Sequence, residues 1–361
     1  MPKDVNQQIL DGILRHQHFV RAYENYILKS EILPILNKAK SDMLKKYNDF
    51  GKRIGRKKLS KLTKQERAML GVKMRELDGL IKVANRKISG VMDKRLLPFA
   101  KSEQRLYRGL ISDAFPIDIG LNRLPLEQLE KLVEEPLGGH KYADRLKKNY
   151  GDAVGAMKRE IGVAILKGES MVQVRNRLIG VGKDVGGKVG VLIGNRAAMI
   201  ARSEIMRVSN AVLDRLYQEN QDILKGVQWV AVLDSRTCAQ CAPLDSTFYD
   251  YSKGERAPIR PLHVFCRCVT VPITKSWKEL GDDSKMAKKM DKLDPGVRAT
   301  MTGYVPAKVK YPKWFDSQPD SFKRKVLGKS RFALYKSKGL SYKRMIKNGR
   351  WITLKDLAKL R

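Results

Sequence analysis

No apolar run in this 361-residue sequence reaches the ~18 residues that a membrane helix needs, so no spanning segment is expected. The opening residues, Met-Pro-Lys-Asp-Val-Asn, lack the charged-then-apolar pattern of a secretory leader, so the protein is expected to start life in a cytosol. Acidic residues are scarce, 38 Asp and Glu against 73 Lys and Arg, and the formal charge is +35. Cysteine is scarcer still: there are four, and all lie between Cys238 and Cys268. Hydrophobic content is nonetheless 42%, a globular composition and not a disordered one, and the length allows two or three domains.

Four thiols scattered at random would not gather in thirty-one positions. Cys238-Ala-Gln-Cys241 has the spacing by which one tight turn aims two thiolates at a point, and His263-Val-Phe-Cys266-Arg-Cys268 adds an imidazole and two more thiols. Soft ligands delivered from two ends of a loop are the pattern of a structural, tetrahedral zinc site. A disulfide or redox pair and reduced thiols packed as small hydrophobes are the alternatives. Zinc takes four ligands and there are five candidates. Cys266 and Cys268, one residue apart, share a face on an extended strand; both could bind, or one could pack while His263 takes the fourth place.

A net charge of +35 repels itself in a compact state, and a polyanion relieves that repulsion. Nucleic acid is the expected partner, held through phosphate contacts that are salt-dependent and sequence-independent. Two stretches concentrate the cations. Lys52, Arg53, Arg56, Lys57 and Lys58 form the first, which reads equally as a phosphate-facing loop or a solvated turn. The second is the tail from Thr274 to Arg361, with 24 Lys and Arg against 8 Asp and Glu, including Lys323, Arg324, Lys325, Lys343 and Arg344. Seven aromatics between Trp314 and Trp351 are interleaved with those cations. They could stack on bases, but the core of a small helical subdomain is the preferred reading.

The expected fold is mainly α with a small α+β central domain. A helical region occupies 1–115, its apolar positions recurring every three or four residues from Ile9 to Ile32. Thr63-Lys-Gln-Glu66 spells a capping box opening a helix to about Asn85. Within 116–275, helices are expected over about 143–178, breaking at Gly168, and over about 196–220. Short strands follow around the Cys/His loop: Val227–Leu233 delivers the chain to Cys238, and Val269–Ile273 closes the loop. Residues 276–361 form a basic helical extension, with a second cap at Thr353-Leu-Lys-Asp356. The glycine-rich run 178–195 contains Gly182-Lys-Asp-Val-Gly-Gly-Lys188-Val189, which approaches a P-loop; Val189 replaces the required Ser or Thr and no strand precedes it, so the run reads as a connector. Arg202 and Glu204, two apart on one helix, point to different sides and read as ordinary surface charge.

The order of these motifs resembles the Mu F-like phage minor head proteins, the head morphogenesis family. Met199-Ile-Ala-Arg202-Ser-Glu204 with Asn210 is similar to that family's helix motif. Trp229, Asp234, Arg236-Thr-Cys238-Ala-Gln-Cys241, Leu244-Asp245 and Pro261-Leu-His263-Val-Phe-Cys266-Arg267-Cys268 follow in the family's order. Ser203 and Ser246 depart from it, where Thr and Gly are usual. Leu166-Lys-Gly-Glu-Ser170 upstream resembles the family too, as does the tail with Trp314, Gln318, Leu327-Gly328 and Arg331-Phe332.

The resemblance implies a non-enzymatic minor capsid protein of a tailed bacteriophage, made in the host cytoplasm and placed inside the capsid near the portal vertex. Portal protein and double-stranded DNA are its implied partners, with scaffold or major capsid protein as further ones, and the protein could leave with the DNA at injection. Arg202, Glu204, Asn210, Asp234, Asp245 and Arg267 would then organise the domain around the Cys–His loop. Two rival functions remain from the residues alone: a metal-dependent nuclease using Asp234, Asp245 and His263, and a zinc-containing nucleic-acid-binding protein.

Overall fold

The computed structural model describes residues 4–55, 57–137, 139–170, 172–174, 196–263, 265–281, 284, 288, 292, 297–301 and 303–360. The protein is mainly helical, with a few short antiparallel strands. Among the described residues the long helices come first: α1 (Val5–Ile27), α2 (Leu33–Ile54), α3 (Lys64–Ser112), α4 (Leu126–Glu134), α5 (Tyr142–Lys167) and α6 (Ala197–Glu219). Strands β1 (Leu224–Val230), β2 (Phe248–Asp250), β3 (Val269–Thr274), β4 (Val297–Thr300) and β5 (Gly303–Pro306) follow. The tail adds α7 (Tyr311–Asp316), α8 (Asp320–Leu327), α9 (Lys329–Ser337), β6 (Ile346–Lys347), β7 (Arg350–Trp351) and α10 (Leu354–Lys359).

Two compact units are built from these elements. One takes the described parts of 1–18, 101–126 and 209–361, the other 19–100 and 127–208. The units interleave along the chain, whereas the sequence reading divides it at 115/116 and 275/276.

In the second unit, α1 passes into α2 through a π turn at Leu28–Ile32, where Leu33 N–H reaches back to the Leu28 carbonyl. Pro34 stands at the start of α2 and has no N–H to offer, so the ladder is reset there rather than broken. The capping box forms as expected. Glu66 N–H donates to Thr63 Oγ1 at 3.2 Å and Thr63 N–H to Glu66 Oε2 at 2.8 Å. The helix it opens does not end near Asn85 but runs to Ser112, with Pro98 inside it. Leu77, Ile81, Ile88, Met92 and Leu96 are all buried, so the apolar period simply continues past Asn85. At the end of α5 Gly168 turns left-handed (φ 64°), its N–H capping the Ala164 and Ile165 carbonyls, which is the expected break.

The first unit holds a three-stranded sheet ordered β2-β1-β3, antiparallel throughout. Gly226 of β1 faces Asp250, and a β-carbon there would lie 2.2 Å from the Tyr249 carbonyl oxygen, so only glycine lets β2 approach. The tail packs its aromatics inward: Tyr311, Trp314, Phe315, Tyr335 and Tyr342 are buried, with Phe322, Phe332 and Trp351 against them. Phe315 and Tyr342 rings sit 4.6 Å apart. The rings are core, as the preferred reading has it. The tail is not wholly helical, however; β4 pairs with β5 and β6 with β7 in two hairpins. Thr353 caps α10, accepting from Asp356 N–H at 3.2 Å.

Candidate metal centre

Strand β1 carries the chain to a turn in which Cys241 and Ala242 N–H both bond the Cys238 carbonyl, at 3.2 and 3.0 Å, and this folds the C-x-x-C back on itself. The second ligand group precedes β3. Cys266 N–H bonds the His263 carbonyl at 3.1 Å, and Phe265 between them is left-handed (φ 61°). Because β3 pairs with β1, the two ends of the loop are brought side by side.

The five candidate donors converge. His263 Nε2 lies 3.1 Å from Cys238 Sγ and 3.3 Å from Cys241 Sγ, and Cys241 Sγ lies 3.8 Å from Cys266 Sγ. Among the described residues, Cys238, Cys241 and His263 form one group of mutually close donors, and Cys241, Cys266 and Cys268 another. Cys241 belongs to both. Zn–S bonds of ~2.3 Å in a tetrahedron set the sulfur–sulfur edge at ~3.8 Å, which the Cys241–Cys266 separation matches. All four thiols are free, and that separation is far beyond the ~2.05 Å of a disulfide bond. The thiols share hydrogen bonds: the one from Cys241 draws the Cys238 thiol down to about 6, while Cys241 itself is pushed up by donating to Cys238, Cys266 and Cys268. The Cys266 thiol is drawn down by its bonds with Cys241 and Cys268. Trp229, Ala231 and Leu262 close over the sulfurs.

The carboxylates near the loop are both occupied. Asp234 takes an ion pair from Arg267, whose Nη2 donates to Oδ1 at 2.8 Å, and accepts Arg236 N–H at 2.9 Å. Asp245 is buried and accepts from Ala231 N–H at 2.8 Å, Tyr311 N–H at 2.6 Å and Arg298 Nη1 at 2.9 Å. Asn210 on α6 accepts from Arg260 Nη1 at 2.8 Å, and Arg260 also pairs with Asp214. Arg260 is buried three residues ahead of His263. Burial raises the pKa of Asp214.

Arg202 and Glu204 go separate ways. Arg202 Nη2 donates to Asn25 Oδ1 at 3.0 Å on the protein surface. Glu204 is not surface charge: it is fully buried, held by Arg145 and by Arg207 Nε at 2.8 Å. Arg207 extends further and donates to the Leu132 and Val133 carbonyls, both at 2.7 Å, satisfying the end of α4. Burial lowers Arg145 and Arg207 to about 10, which leaves both cationic at neutral pH. These partners all lie in the second unit, so Glu204 ties α4 and α5 to α6 rather than bracing the Cys–His loop.

The cations expected to meet nucleic acid divide between the units. Lys52 and Arg53 are exposed in the last turn of α2, Lys58 is exposed, and Lys57 reaches Glu66 at 2.7 Å; Arg56 lies outside the described residues, as does the whole glycine-rich run 178–195. Arg324 and Lys325 are exposed on α8, Lys343 and Arg344 in the turn at 342–345, and Lys323 lies over the Tyr335 ring at 5.7 Å. Arg260, Asp214, Arg298 and Tyr311 escaped the sequence reading.

Residues 155–271 match the family model described as Phage Mu protein F like protein. The central part of this chain is Mu F-like. The matched span is about a third of the chain and takes in α6, β1, β2, the first half of β3 and every Cys and His of the loop; the residues from Pro272 onward lie beyond it. No curated protein and no solved structure matches the chain.

Proposed function

We propose that the chain is a structural minor capsid protein acting in head morphogenesis of a tailed bacteriophage, sited in the virion near the portal vertex. Its proposed partners are the portal protein and double-stranded DNA without sequence preference, with scaffold or major capsid protein as further contacts and release with the DNA at injection. The observation that carries this reading is the Mu F-like match that takes in the convergent Cys–His loop. The net charge of +35 supports the DNA partner independently, since duplex DNA is a dense polyanion.

A structural zinc ion is proposed for the loop, held by four of Cys238, Cys241, His263, Cys266 and Cys268. Zinc would close a loop whose apolar cover is a handful of side chains and supply stability that packing does not. The proposed role is not catalytic. A catalytic zinc keeps an open position and a nearby general base, whereas Asp234 and Asp245 are already committed to Arg267 and Arg298.

Two measurements test the reading. Elemental analysis of the purified protein should give about one zinc per chain with four titratable thiols under denaturing conditions; no metal would remove the zinc. Immunogold labelling of purified virions should place the protein at one vertex, and a protein absent from virions would sink the structural role.

A further inference from the structure

The β6–β7 hairpin sets two cations directly opposite one another. Lys347 pairs with Arg350 across a two-residue turn, Asn348-Gly349, whose φ angles of 50° and 68° are both left-handed. Like charges facing each other across an antiparallel pair destabilise it, so this arrangement opposes the hairpin's own stability. Both side chains are exposed, and a cleft of about 480 Å³ beside them is lined by Asn348, Trp351, Thr353 and Asp356 as well. The one acid there is engaged by Thr353 Oγ1 at 2.7 Å. Trp351 is covered on one face by the Arg331 guanidinium at 5.2 Å, which adds a third cation.

The surroundings have the same sign. From Gly303 to Leu360 there are 16 Lys and Arg against 3 Asp, and none of these cations is buried. Most of the tail's aromatic rings pack into its core, while Tyr304 is exposed and Trp351 borders the cleft. What the tail presents is mainly cationic and suited to phosphate more than to base faces. The hairpin is also seated. Gly349 rests on Gln240 of the C-x-x-C turn, where a β-carbon would come 3.3 Å from Gln240 Cγ and 3.5 Å from its Cα.

We infer that the β6–β7 hairpin is a phosphate-contact site for the backbone of duplex DNA, with Lys347 and Arg350 flanking a phosphate and the C-x-x-C turn holding the hairpin in place. A phosphate between the two cations turns their repulsion into shared attraction. The inference rests on the DNA-binding part of the proposed function, and names the contact that part leaves open.

Fluorescence anisotropy of the full chain with a labelled random-sequence duplex, over a salt series, tests it. Each lost phosphate contact lowers the slope of log K against log salt by ~0.9, so Lys347→Ala with Arg350→Ala, which removes the one shared contact, should lower it by ~0.9. Lys347→Glu separates binding from folding: it makes an opposite-charge pair with Arg350, so the melting temperature should hold or rise while duplex affinity falls further than with Lys347→Ala. Gly349→Val should weaken duplex binding with both cations still present. An unchanged slope in the double alanine variant, with the wild type binding, overturns the hairpin site and leaves DNA binding intact. No duplex binding by the wild type overturns the DNA-binding reading and this inference together. Binding to phosphatidylglycerol vesicles that needs Lys347 and Arg350, without duplex binding, would assign the site to a membrane surface instead.

Discussion

Asp245 and Arg298 meet in a buried ion pair, 2.9 Å between Oδ2 and Nη1, although 53 residues separate them in the chain. Asp245 belongs to the turn after the C-x-x-C and Arg298 to β4, and the same carboxylate takes Tyr311 N–H from the first turn of α7. The pair therefore fastens the tail onto the Mu F-like segment.

Removing the carboxylate should expose how much rests on it. Asp245→Ala leaves Arg298 buried without a counter-charge and strips the Ala231 and Tyr311 amides of their acceptor, at a cost of about 3–5 kcal/mol. Chemical denaturation of the variant should show that loss. A change below about 1 kcal/mol would mean the arginine finds water by a small shift of β4.

Cys241 is the thiol common to both donor groups. Cys241→Ser should abolish zinc retention and lower stability by several kcal/mol, on the order of a structural site's contribution. Zinc content and thermal melting, each with and without a chelator, decide it. Equal melting temperatures for wild type and variant in the absence of chelator would argue for packed thiols.

Glu204→Gln should destabilise the second unit by about 3–5 kcal/mol, because Arg207 stays buried and Arg145 half-buried, both still charged. Arg207→Lys, which keeps the charge but loses the fork onto the Leu132 and Val133 carbonyls, should fray α4. Hydrogen exchange over 126–134 reads the difference; unaltered protection there would place the capping elsewhere.

Glu24 gives the chain a pH dependence near neutrality. Burial raises its carboxyl from 4.5 to about 7, against the pull of Arg202 and Arg21. The folded state thus binds the proton more tightly than the unfolded one. Its contribution is complete below about 4.5 and is lost as pH rises through about 7. Glu24→Gln should flatten stability between those limits, which melting temperatures at pH 5 and pH 8 would reveal. A wild-type profile already flat there would contradict the raised value.

The sequence was most informative where the chemistry is local. The Cys–His loop could be read because each ligand group is compressed into a few residues, and the start of α3 because a capping box spans only Thr63 to Glu66. The sequence reading failed where partners are remote. Nothing near Glu204 announces Arg145, 59 residues earlier, so a buried carboxylate looked like surface charge. Hairpins β4–β5 and β6–β7 have strands of four and two residues, too short for any alternation to show. Helix α3 outran its expected end because the apolar stripe continues past Asn85 through Ile88, Met92 and Leu96, and its burial carries the helix through Gly90 and Pro98.

The inward packing of the rings gives the protein its own optical reporters. Trp229 is sealed among the sulfurs of Cys241, Cys266 and Cys268, while Trp314 is sealed in the tail core, far from any solvent-borne ligand. Emission from the first should respond to metal loading and thiol oxidation, and from the second only to melting of the tail. A chain left with one of these indoles at a time would let the loop and the tail be watched separately as the protein unfolds.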